Sequence, residues 1–120
     1  MTEAVLAGAL DIAAVLSEVL DERERQNAKW GEQNHPDGTG GPRAADAARV
    51  AQLYCQAAAQ AGEVTWRDIL REEVYEAFAE DDPVKLRAEL VQVAAVACQW
   101  VEAIDRRNTA SSTKRQEEGP

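Results

Sequence analysis

Apolar residues recur at helical spacing in four stretches of the chain. Residues 3–29 carry Leu6, Leu10, Ala13, Ala14, Leu16, Val19 and Leu20, largely three and four apart, which gathers them near one face of a helix. After Leu20 this helix turns polar, with Asp21, Glu22, Arg23, Glu24, Arg25, Gln26 and Asn27 in succession. A helix that is apolar in its first half and charged in its second leaves a bundle or borders a cleft. Residues 43–61 form a second helix rich in alanine, with Tyr54 and Cys55 among Ala44, Ala47, Ala48, Ala51, Ala58 and Ala59. The third covers WRDILREEVYEAFAE, its stripe made by Ile69, Leu70, Val74, Ala77 and Phe78. The fourth covers residues 83–106, with Leu86, Leu90, Val93, Ala94, Ala97, Trp100, Val101 and Ile104 as its expected buried face.

The boundaries carry their own signals. Gly31 can end the first helix and Gly62 the second. Thr65 with Asp68 three residues on is close to a capping box. Asp82 caps the fourth helix and Pro83 takes its first position, where no amide is needed. Residues 31–42, GEQNHPDGTGGP, are too rich in glycine and proline for regular structure and hold the single histidine, His35. Such a loop on a helical scaffold is a frequent binding element. Residues 108–120, NTASSTKRQEEGP, lack periodicity and an apolar anchor, and a disordered tail is expected there. The expected fold is all-α: four helices in one domain over residues 1–107.

Composition narrows the function. The chain of 120 residues has 13 Lys plus Arg against 22 Asp plus Glu, a formal charge of -9. That surplus repels a phosphate backbone, so no nucleic-acid partner is expected. It also attracts divalent cations, although acidic surfaces equally serve solubility. The aromatic residues are Trp30, Tyr54, Trp66, Tyr75, Phe78 and Trp100, and alanine supplies much of the apolar content. A core that thin argues for a homo-oligomer, a dimer or a tetramer. Cys55 and Cys98 sit in apolar helical surroundings and read as buried thiols. No membrane span and no signal peptide are apparent, and a cytoplasmic location is expected.

The candidate chemistry lies in the carboxylates of the third and fourth helices. A short link at residues 81–82 makes these helices antiparallel neighbours. Glu76 stands six residues before Asp82 and Glu89 seven after it, while Glu72 and Gln92 each stand ten away. Two polar levels are therefore expected, Glu76 with Glu89 and Glu72 or Glu73 with Gln92. Glu72 and Glu73 also share a face with Glu76. Like charges at this spacing repel unless compensated, and Mg²⁺ is a compensation that oxygen ligands hold well. The alternative is an ordinary solvated face with Arg67 and Arg71 in surface ion pairs. Glu89 and Gln92 stand among Leu90, Val91, Val93, Ala94 and Val96, where polar groups need partners.

With Glu72-Glu73-Val74-Tyr75-Glu76, a gap of twelve residues and then Glu89-Leu90-Val91-Gln92, the chain resembles the MazG-like all-α nucleoside triphosphate pyrophosphohydrolases. Their signature is Glu-Glu-x-x-Glu followed on the next helix by Glu-x-x-Asp. The last position departs, with Gln92 in place of Asp. The segment from Glu24 to Pro36 resembles a stretch found in one branch of these proteins. The resemblance covers roughly residues 20–106. It implies that Glu72, Glu73, Glu76 and Glu89, with Gln92 as a neutral oxygen donor, hold Mg²⁺, replaceable by Mn²⁺. It implies cleavage of a nucleoside triphosphate between the α and β phosphates, with Glu73 or Glu76 as general base. Beside it, Lys29 and Arg71 are candidates to contact phosphate, Trp30 to stack on a base and Gln33 to read its edge. Packing and solvation are the alternative roles of these residues, and loop polarity that of His35. Gln92 also leaves open a catalytically inactive descendant that binds nucleotides or serves as a structural helical oligomer.

Overall fold

The computed structural model describes residues 2–118, with side chains through Ser111. Among the described residues every regular element is helical: α1 Glu3–Trp30, α2 Pro42–Gln60, α3 Trp66–Ala79 and α4 Pro83–Glu118. None of these helices is long and apolar enough to cross a membrane. The chain divides into two compact units. One holds the residues up to Asn34 together with those from Cys98 on; the other is His35–Ala97.

Local chemistry sets most of the boundaries. The Thr2 hydroxyl accepts the Val5 amide at 3.1 Å and caps α1. Gly31, at φ +67°, ends it and donates its N–H to the Asn27 carbonyl. At the start of α3 the capping box is complete: Thr65 Oγ1 accepts from Asp68 N at 3.2 Å, and Asp68 Oδ2 accepts from Thr65 N at 3.1 Å. Asp82 Oδ1 accepts the Val84 amide at 3.0 Å, and Pro83 opens α4.

Helix α4 runs past the stop expected at Arg106 and Arg107, continuing to Glu118. The segment read as a disordered tail is thus helical backbone over residues 108–118. It holds Ala110, Lys114, Arg115, Gln116 and two glutamates, all good helix formers, and the first breakers in the sequence are Gly119 and Pro120.

Burial is sparser than the apolar pattern suggests. The buried apolar side chains described are Val15, Ala51, Cys55, Ala77 and Leu86. On α1, Leu6, Leu10, Leu16, Val19 and Leu20 are exposed, where a core face is expected. On α4, Leu90, Val101 and Ile104 are exposed and Val93 and Trp100 half-buried; on α3, Phe78 is exposed. An apolar stripe specifies which face of a helix seeks cover. It does not specify that the same chain provides it.

In the second unit α2 packs along α3. The glycine-rich loop is tied to the end of α3 by Thr39 Oγ1 donating to the Glu80 carbonyl at 2.6 Å and Gly40 N donating to the Phe78 carbonyl at 2.8 Å. Gly40 has φ +92°, and a Cβ there would overlap the Asp81 carboxylate. The loop thereby covers carbonyls that the last turn of α3 leaves unpaired.

The Thr65→Ala variant is expected to unfold about 1 kcal/mol more easily, the usual cost of a lost N-cap. Urea denaturation followed by circular dichroism measures this.

Candidate metal centre

The link between α3 and α4 is only residues 80–82, so side chains near its two ends face one another. Glu73 and Glu76, one turn apart on α3, meet Glu89 from α4. One carboxylate oxygen from each lies within 4.8 Å of the other two. All three residues are half-buried. Glu73 Oε2 and Glu89 Oε2 are shielded from solvent and have no hydrogen-bond partner.

Two orphaned carboxylate oxygens beside a third carboxylate form an electrostatic conflict. Burial pushes the Glu73 carboxyl above its ordinary range, and the charges of Glu89 and Glu72 push the same way. Burial raises Glu76 too, followed by the charges of Glu73, Glu89 and Glu72 and a hydrogen bond with Glu89. The folded chain can relieve the conflict by taking up a proton or a cation. The donor set, hard oxygens from two helices with solvent access, suits Mg²⁺ or Mn²⁺, which keep part of their water shell. The residues present therefore fit the ion that the sequence implies.

Glu72 stands apart from this trio. It faces Cys55 of α2, whose thiol donates a hydrogen bond to the Glu72 carboxylate. Burial pushes the Cys55 thiol up to about 11, and the charge of Glu72 adds to this. Cys55 thus stays a buried, protonated thiol. Gln92 is exposed. Of the five metal ligands expected from sequence, the structure gathers Glu73, Glu76 and Glu89.

Arg71 occupies another side of α3. Two residues before Glu73, it is turned about 200° from it around the helix. Its guanidinium lies 5.7 Å from the Tyr54 ring centre and 5.5 Å from that of Tyr75.

Lys29, Trp30 and Gln33 belong to the first unit. Trp30 is exposed at the end of α1, with the Lys29 ammonium 4.8 Å from its ring centre. Trp30 and Gln33 line a surface hollow together with Arg23, Gln26 and Asn27. Arg23 donates to Gln26 Oε1 at 2.9 Å and Asn27 Oδ1 at 3.2 Å. The sequence reading passed over these three residues, although the spacing of Arg23, Gln26, Asn27 and Trp30 marks one helix face. His35 is exposed in the loop.

Comparison of the chain with protein-family models, curated proteins and solved structures finds no match.

Glu73 and Glu76 titrate near 4.5 in an unfolded chain and higher in the folded one. Between those values the folded state holds more protons, so metal-free stability falls as pH rises from about 4.5 through the folded values. Thermal unfolding in EDTA across this range should show the fall. Glu76→Gln should lessen it and stabilise the metal-free protein at pH 7 by about 0.5 kcal/mol, the scale of one relieved like-charge pair. A less stable E76Q would contradict the clash.

Proposed function

We propose that the chain is a metal-dependent hydrolase of nucleoside triphosphates, releasing the monophosphate and pyrophosphate, with Glu73, Glu76 and Glu89 as the metal-binding carboxylates. The observation that carries this reading is the convergence of the three groups, two of them with shielded oxygens that lack partners. The Glu-Glu-x-x-Glu run and the following Glu89, in the order and at the spacing of the MazG-like enzymes, supply the reaction type.

Mg²⁺ at these carboxylates would neutralise the triphosphate and the charge that builds during in-line attack on the α phosphorus. The chain's own part is to hold the acidic oxygens close together and to accept a proton. A carboxylate oxygen of Glu76 or Glu73 takes the proton that the attacking water gives up. Glu72, engaged by the Cys55 thiol, acts through its charge on its neighbours.

The reading includes a homo-oligomer, a dimer or a tetramer. The exposed Leu6, Leu10, Leu16, Val19 and Leu20 of α1 form an apolar face whose cover a second copy would provide. The reading also places the chain in the cytoplasm, a reducing compartment in which the free Cys55 and Cys98 stay thiols.

Gln92 favours a second reading, a descendant that keeps the fold and has lost turnover. Where the family has a charged ligand, this chain has a neutral, exposed amide.

Pyrophosphate release from a panel of ribo- and deoxyribonucleoside triphosphates, with Mg²⁺ and then Mn²⁺, separates the two. The hydrolase reading expects metal-dependent release that E76Q lowers at least ~100-fold, the scale of a lost general base. Silence across the panel from folded protein selects the inactive descendant.

A further inference from the structure

A second polar feature lies in the groove between α2 and α3, lined by Tyr54, Arg67, Arg71, Asp68 and Glu63. Arg67 and Arg71 are one helical turn apart and so share a side of α3. The chain carries 22 acidic residues against 13 basic ones, so an arginine here has many carboxylates to pair with. Among the described residues neither guanidinium has one within ion-pair distance. Arg71 is held by rings instead, over both Tyr54 and Tyr75. Tyr75 is in turn braced edge-on by Phe78, with ring centres 6.2 Å apart. Asp68 is committed to the Thr65 amide in the capping box.

A guanidinium supported by aromatic faces keeps its N–H fork free for an oxyanion, and Arg67 adds a second fork from the same side. Tyr54 is 59% exposed, which leaves ring surface for a ligand to stack on. Glu63, which also lines the groove, disfavours a long polyanion and favours a single anionic group. We infer that this groove binds a planar ring carrying one phosphate, the chemical class of a nucleoside monophosphate, at a site separate from the carboxylate trio. Arg71 and Arg67 take the phosphate and Tyr54 takes the ring. The site requires no metal ion and does not depend on whether the chain hydrolyses triphosphates.

The test is calorimetric titration of the full chain in EDTA with adenosine monophosphate, adenosine and inorganic phosphate. Saturable binding of the monophosphate is expected, tighter than that of adenosine or phosphate alone. Arg71→Lys keeps the charge but loses the planar fork, and is expected to weaken binding at least ~10-fold; Tyr54→Leu should weaken it severalfold. Arg67→Lys provides an independent variant should either of these fail to fold by circular dichroism. No saturable binding up to about 1 mM, the weak end of specific affinity, overturns the inference. So do R71K and R67K variants that bind as the parent does, or inorganic phosphate that binds as tightly as the nucleotide. Loss of binding in E76Q as complete as in R71K would place the ligand on the carboxylate side of α3 and overturn it as well. Because EDTA removes divalent ions, absence of monophosphate binding overturns this inference and leaves the metal-dependent hydrolase to its own test.

Discussion

Three residues, Glu80, Asp81 and Asp82, separate α3 from α4, and the way this link is tied down decides which carboxylates meet. The Asp82 carboxylate caps the new helix, and Pro83 fits its first turn. The Glu80 side chain accepts the Asp82 amide, and the Glu80 carbonyl accepts the Thr39 hydroxyl from the glycine-rich loop. Reversal within so few residues sets Glu89 beside Glu73 and Glu76. Shifting the sequence of α4 by one residue against its start would turn position 89 by about 100° around the helix and disperse the cluster.

The cluster is costly for the metal-free chain. Three carboxylates share one half-buried place, two oxygens lack partners, and Glu73 and Glu76 are pushed toward protonation. Glu72 shows how the same helix avoids the problem one residue away, since a protonated thiol answers its charge. A conflict left standing in one place and resolved beside it is the physical basis for reading the trio as a cation site rather than as solvated polarity.

Much of this was legible in the sequence where the determinants are local. Thr65 with Asp68, Asp82 with Pro83, and Gly31 mark helix ends through contacts within a few residues. Counting outward from the link paired Glu76 with Glu89. Helical geometry alone also separates Arg71 from Glu73. Tertiary features were not legible. The loop's attachment through Thr39 and Gly40 joins residues some forty positions apart, and neither residue type announces it. Glu72 turns to Cys55 because α2 lies there. The exposed leucines of α1 carry the pattern of a core helix, and sequence cannot say which chain covers them. The continuation of α4 past Arg107 follows from the lack of a breaker, a signal outweighed in the reading by polarity.

The most direct test of the central claim is titration of the protein with Mn²⁺, following the free ion by electron paramagnetic resonance, for the parent chain and for Glu89→Gln. Saturable binding by the parent is expected, weakened at least ~10-fold in E89Q, a loss of about 1.4 kcal/mol or more. Mn²⁺ that stays free, or that binds E89Q as tightly as the parent, would contradict the assignment of Glu73, Glu76 and Glu89 as a metal centre.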